Sequence, residues 1–258
     1  MKNYLIDTHA HIDMLIDSET SFDNVLADMN SLGVKKAIIP AVEIKTQDEV
    51  IELASKDENI FGMVGLFPTE AKTFTPEFEQ KMEMLAKSNN KIVAVGEIGL
   101  DYYWDKSFVD LQQEIFRKQI RLANRLNLPV VVHDREAHKD CFDILKEENP
   151  QNGVLFHCFS GSVEFMKECV REGWYIALGG VVTFKNAVKM KEVAVEVPLD
   201  KLVLETDSPY LTPVPYRGKP NKPAYVRYVA EEIAKIREMT LEDLTDVTTE
   251  NAERFFKI

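Results

Sequence analysis

Cysteine is scarce in this chain. There are three, Cys141, Cys158 and Cys169, an odd number with no C-x-x-C spacing. That argues against a disulfide framework and points to a reducing compartment, so a cytoplasmic location is expected. No apolar run approaches the length needed to cross a bilayer. The N-terminus runs directly into a short strand carrying Asp7, with no long apolar stretch before it, so neither a signal peptide nor a membrane association is expected. Low-complexity segments, linkers and repeats are missing too, apart from one alternation taken up below. Positive charge is in deficit: 31 Lys and Arg stand against 43 Asp and Glu, a net charge of −12. This weighs against a protein that holds nucleic acid by general electrostatic attraction. It leaves room for an enzyme that grips a few phosphates through metals and a local basic patch. One such patch exists, because residues 208–230 contain no acid but do contain Arg217, Lys219, Lys222 and Arg227.

What is present is a regular alternation. Short β-branched runs predict strands at 4–7, 36–41, 61–66, 92–97, 129–133, 153–157, 174–178 and 202–206. Amphipathic patterns predict helices near 21–32, 46–56, 76–88, 107–126, 136–148, 162–171, 186–195 and 222–237. The fourth helix is the clearest, with Phe108, Leu111, Ile115, Leu122 and Leu126 on one face. A last helix near 241–255 opens on Thr240-Leu-Glu-Asp243, a variant of the capping box. Eight strands alternating with helices over 258 residues predict an α/β protein, a TIM (β/α)8 barrel forming a single domain over 1–258. An open doubly wound sheet is the alternative, and it would draw its ligand residues from a few strands at a switch in strand order.

Four of the five histidines favour closure. His9 and His11 close the first strand, His133 the fifth and His157 the sixth, and two carboxylates take matching places, Glu97 at the end of the fourth strand and Asp207 after the eighth. Parallel strands in a barrel bring all six to the rim at the strands' C-terminal ends. Residues two apart on a strand share a side, so His9 and His11 can hold one ion together. The donors are nitrogen and oxygen with no thiolate, which suits Zn, Mn, Co, Ni or Mg. Six ligands exceed what one catalytic ion with an open position uses, so two divalent ions sharing a carboxylate are expected, with Glu97 as the bridge. Gly96 and Gly99 around it let backbone and ions approach closely. Glu205, two residues before Asp207, is expected behind a ligand histidine as its acceptor. Asp101 has two readings, the same supporting role or the cap of a turn. His138 is expected on a helix surface, and Cys158 is expected to pack away from the site.

The segments Asp7-Thr8-His9-Ala10-His11, Gly96-Glu97-Ile98-Gly99-Leu100-Asp101, His133-Asp134-Arg135-Glu136-Ala137, His157-Cys158-Phe159-Ser160-Gly161 and Glu205-Thr206-Asp207-Ser208-Pro209-Tyr210-Leu211 resemble, in order and spacing, the signature segments of the TatD family of metal-dependent deoxyribonucleases. The resemblance covers essentially the whole chain, and Arg217-Gly218-Lys219-Pro220-Asn221 is similar to the family's basic loop after the last strand. It implies a divalent-metal hydrolase of phosphodiesters with single-stranded DNA or 3′ ends as substrate, acting as a 3′→5′ exonuclease; no obligate protein partner is expected. By the same resemblance His9, His11, Glu97 and Asp207 match the ligands of one metal, and Glu97, His133 and His157 those of the other. Mg or Mn is implied in the cell, with Zn or Ni able to occupy the imidazoles during purification. Asp207 and Glu97 are the expected catalytic residues, Asp207 also accepting a proton from the attacking water. Arg135, Lys219 and Arg217 are candidates to hold phosphate oxygens, with solvated surface charge as the other reading of Arg217. One departure is visible: where the family often has Gly-x-His-Pro after strand three, this chain has Gly65-Leu66-Phe67-Pro68, so Phe67 either stacks on a base or packs. Two other functions stay open. The same barrel can hydrolyse a lactone, an amide or a D-aminoacyl-tRNA ester, or the chain can be a non-catalytic nucleic-acid-binding protein.

Overall fold

The first strand, β1 (Leu5–Asp7), is three residues long and wholly buried, and after His9-Ala10-His11 the chain turns at once into a short helix, α1 (Ile12–Ser18). In the computed structural model the described residues are 2–18 and 20–258. The elements then alternate as α2 (Phe22–Ser31), β2 (Val34–Pro40), α3 (Thr46–Ser55), β3 (Ile60–Val64), α4 (Pro76–Ser88), β4 (Ile92–Asp101), α5 (Val109–Leu126), β5 (Val130–Arg135), α6 (His138–Glu148) and β6 (Val154–Phe156). They continue as α7 (Val163–Arg171), β7 (Tyr175–Leu178), α8 (Val188–Glu196), β8 (Leu202–Leu204), α9 (Val226–Ile236) and α10 (Leu241–Phe256). The eight strands form one sheet in the order β1 to β8. Just past their ends β1 and β8 run side by side: the amide of Thr8 donates to Leu204, that of Asp207 to His9 and that of His11 to Ser208. The fold is a (β/α)8 barrel, as the alternation predicts. No helix among the described residues is long and apolar enough to cross a membrane.

Local chemistry sets the boundaries. Ser21, Thr75, Ser162 and Thr240 each accept a hydrogen bond from the amide three residues on, capping α2, α4, α7 and α10. Thr240 differs from the expected box in its second half. Its hydroxyl donates to the Asp243 carboxylate at 2.6 Å while accepting from the Asp243 amide at 3.0 Å. Asn127 and Asn149, both left-handed, end α5 and α6.

The chain divides into two compact units, Met1–Ile39 with Gly161–Ile258, and Pro40–Ser160. In the first, β1 pairs with β2 and β7 with β8, all parallel. The ends of the chain meet there: Glu253 of α10 takes hydrogen bonds from Lys2, from the Tyr4 hydroxyl at 2.5 Å and from Lys36 at 2.9 Å. In the second, β3, β4, β5 and β6 pair in parallel sequence. Val130, Val131 and Val132 are fully buried, and burial on both faces is why such strands read as continuous apolar runs.

Two features of this second unit depart from the sequence reading. The strand expected at 92–97 continues to Asp101, so Gly99 as well as Gly96 lies inside β4. A Cβ on Gly99 would stand 2.0 Å from the carbonyl oxygen of His133, and one on Gly96 would stand 2.8 Å from the Cβ of Val131. The close approach these glycines permit is between β4 and β5. The buried face of α5 also differs: Ile115 and Leu122 lie on it, together with Gln112 and Gln119. Gln119 bonds the amide of Leu66 at 2.7 Å and its carbonyl at 3.2 Å, and Gln112 does the same for Asp101 at 2.9 and 3.0 Å. Gln47 of α3 likewise holds the carbonyl of Gly65 at 2.7 Å. Each clamp satisfies backbone groups that would cost about 1–3 kcal/mol if buried unpaired.

Candidate metal centre

In the unit Pro40–Ser160, three side chains converge on one point. Glu97 Oε1 lies 2.8 Å from His133 Nδ1 and 3.0 Å from His157 Nε2. Glu97 rides on an irregularity, because the register between β4 and β5 shifts between Val95 and Ile98; such bulges re-aim a side chain. His133 lies within β5, and His157 follows β6, its amide donating to Val132 at 3.1 Å. Cys158 beyond it has a φ of +45°, so it lies past the end of β6, where strand alternation does not fix its direction. The far nitrogen of His133, Nε2, meets Asp101 Oδ2 at 3.0 Å. Asp101 Oδ1 accepts the amides of Tyr103 at 2.9 Å and Trp104 at 3.3 Å, so this residue fills both roles considered for it. Burial pushes the His133 pKa down, but the hydrogen bonds it makes to the Asp101 and Glu97 carboxylates outweigh it and raise it. Burial pushes Asp101 up, and His133 and the two amides bring it below the usual range. Phe67 packs against His133, ring centroids 4.5 Å apart and edge to face.

The other unit carries a second convergence. Asp207 Oδ1 lies 3.5 Å from His11 Nε2 and 3.9 Å from His9 Nε2. Asp207 sits in a left-handed turn, φ +55°, and Asn221 of the basic loop pins that turn, its side-chain amide donating to Thr206 at 2.9 Å and Tyr210 at 2.6 Å. Behind the histidines, Asp7 accepts the amides of His9 at 3.2 Å and Thr206 at 2.9 Å and the Thr206 hydroxyl at 2.5 Å. Burial holds its carboxyl well above the ordinary value, even though those hydrogen bonds pull the other way. Glu205 is fully buried, and one of its oxygens lies within 4.8 Å of a His9 nitrogen. Tyr210 stands edge-on to His11, centroids 6.3 Å apart.

In each triad the donor atoms lie within 4.8 Å of one another. Two imidazoles and a carboxylate, mostly buried, bring nitrogen and oxygen donors together at one spot in each triad. The donor set therefore fits a divalent ion bound by nitrogen and oxygen.

The basic candidates fall elsewhere. The Arg135 guanidinium lies over the Tyr103 ring at 3.8 Å, and that of Arg217 over Phe184 at 3.7 Å. Lys219 is exposed and lines a cavity of about 350 Å³ with Leu15, Asp28, Lys222 and Tyr225. Lys222 is tied to Asp28 at 2.6 Å and Arg227 to Glu231 at 2.7 Å. His138 opens α6 with Nδ1 2.7 Å from Asp134 and belongs to neither triad. The polar residues that hold the triads in place, Asp7, Asn221 and Gln112, have no distinguishing spacing in the sequence. The one available signal was a charged or amide side chain inside an otherwise apolar pattern.

The family described as TatD related DNase matches residues 6–257. A Bacillus subtilis protein named uncharacterized metal-dependent hydrolase YabD is 44% identical over 98% of this chain and 99% of its own length. An Escherichia coli relative, uncharacterized metal-dependent hydrolase YcfH, is 39% identical over 99% of this chain and 96% of its own. Among solved structures, the TatD homologue YJJV of Escherichia coli superposes with a TM-score of 0.93 at 30% identity, covering all of both chains. Signature, sequence and fold agree along the full length, and the chain belongs to the TatD family of metal-dependent hydrolases.

Proposed function

We propose that this protein hydrolyses the phosphodiester bonds of DNA, removing nucleotides from a 3′ end, with one divalent ion at each triad. The observation that carries the reading is the pair of His–His–carboxylate triads, 9/11/207 and 133/157/97. The family description supports DNA as the substrate class. Divalent ions bound there supply activated water and neutralise charge on the non-bridging phosphate oxygens.

The protein's own contribution is position and proton transfer. Glu97 and His133 are held by β4, β5 and Asp101, so the second triad is set before substrate arrives. Asp207, at the mouth of its triad with 15% of its side chain exposed, takes the proton of the attacking water. Arg135 and Lys219 are the proposed phosphate contacts, through planar and point charges respectively. Mg or Mn, hard ions matched to phosphate oxygen, are the proposed ions in the cell.

The test is product analysis. End-labelled single-stranded and duplex oligonucleotides, a set of simple lactones and an aminoacyl-tRNA are offered to protein loaded with Mg, Mn, Zn or Ni in turn. The expected result is a ladder shortening from the 3′ end with Mg or Mn and none after chelation. Turnover of lactone or aminoacyl ester with DNA left intact overturns the reading.

A further inference from the structure

Trp104 is 67% exposed and Tyr103 is 50% exposed, in a chain whose other tryptophan, Trp174, is 7% exposed. Leaving so much aromatic surface in water is unfavourable, and here the surface is also held in place. The backbone amides of Tyr103 and Trp104 both donate to Asp101. The preceding residue is fixed at both ends: the Tyr102 amide donates to the Arg135 carbonyl at 2.9 Å, and its hydroxyl donates to Asp140 at 2.8 Å and accepts from Gln113 at 2.9 Å. The two exposed rings stand edge to face, centroids 5.0 Å apart. The Arg135 guanidinium lies over Tyr103 at 3.8 Å and near Trp104 at 5.4 Å. It makes no ion pair among the described residues, so its N–H edge can meet a phosphate while its face stacks. The carboxylate that orders this loop also supports His133 through its other oxygen, which places the aromatic pair one side chain away from a metal ligand.

We propose that Tyr103, Trp104 and Arg135 form a platform on which an unpaired nucleobase of the single-stranded substrate stacks, with Arg135 reaching the adjacent phosphate. This rests on the reading of the substrate as DNA and adds the residues that seat it. Stacking on aromatic rings is tolerant of base identity, since every base has a π-face, so the platform confers preference for an unpaired strand rather than for a sequence.

Metal-loaded protein is titrated with phosphorothioate-linked oligothymidine, which resists cleavage, and with an abasic oligonucleotide of the same length, while tryptophan fluorescence is followed. Quenching by the thymidine oligomer alone is expected, and a Trp104→Phe variant should lose it, because Trp174 is buried. In turnover, Tyr103→Ala with Trp104→Ala should raise KM for single-stranded DNA about tenfold, leave kcat/KM for methyl 4-nitrophenyl phosphate unchanged, and be largely rescued by Trp104→Phe. Equal quenching by the abasic oligomer, or none by either, overturns the platform. If DNA is cut and the double variant keeps its KM, the platform falls and the nuclease reading stands. If DNA is not cut but the base-dependent quench appears, the nuclease reading falls and the platform stands as a single-strand binding surface.

Discussion

Both triads combine two imidazoles with one carboxylate, and they are built differently. Around Glu97 the donors touch at 2.8 and 3.0 Å, two of them lie within adjacent strands, and a carboxylate backs one histidine. Around Asp207 the distances are 3.5 and 3.9 Å, and every donor lies beyond a strand end, on backbone pinned by Asp7 and Asn221. The difference teaches that one triad is preorganised by secondary structure and the other by hydrogen bonds to turns. The first should hold its ion tightly; the second should exchange its ion and leave room for water and substrate.

The comparison breaks most sharply at the carboxylates. Glu97→Gln is expected to lose the ion of its triad and at least about a thousandfold in turnover, since such an ion supplies several kcal/mol to the transition state; circular dichroism should stay native while metal analysis falls. Asp207→Asn should cut turnover by a similar factor yet retain the ion at Glu97, His133 and His157, so metal analysis after dialysis separates the two variants. Equal retention in both would erase the distinction between tight and loose sites. Gly99→Ala should destabilise the fold by about 3 kcal/mol or more in urea unfolding, because the added methyl meets the His133 carbonyl at a φ of +142°. Asp101→Asn is gentler: loss of the partner behind His133 should weaken metal affinity at that triad about ten- to a hundredfold and spare the other, as competitive chelator titration would read.

The smallest effect lies outside both triads. Burial would raise the Glu253 carboxyl, but hydrogen bonds from Lys2, Tyr4 and Lys36 outweigh it and bring its pKa to about 2, against an ordinary 4.5. A pKa lowered on folding gives stability that is complete above 4.5 and is lost as pH falls toward 2. The contribution is at most about 3 kcal/mol. Urea unfolding of wild type and Glu253→Gln between pH 6 and pH 2 should show a stability gap that narrows on acidification.

The barrel was legible because its strands are short apolar runs with a chemical residue at the end, as in Val154-Leu155-Phe156-His157, and because the capping residue Thr240 marks the last helix. The six metal-site candidates stood out by residue type at repeated positions, and the structure groups them into two triads. What stayed hidden was the support. Gln112 and Gln119 count as polar in a periodicity reading, so the buried face of α5 was drawn without them. Asp7 looked like part of a motif rather than the clamp of two backbones. The extension of β4 to Asp101 is hidden because Gly99 suggests a loop, whereas the missing side chains of Gly96 and Gly99 are what let β5 lie against the strand. Phe67 was left between two readings, and its edge-to-face contact with His133 places it in packing.

The positions of the donors along the chain also impose an order on synthesis. All three members of the Glu97 triad lie within the first 157 residues, whereas His9 and His11 must wait for Asp207, and the anchor of the N-terminal segment on Glu253 arrives only with the final helix. On the ribosome, then, His9 and His11 emerge well before the carboxylate they share, and a chain that stops between residues 157 and 207 carries the Glu97 triad complete and the other without its carboxylate.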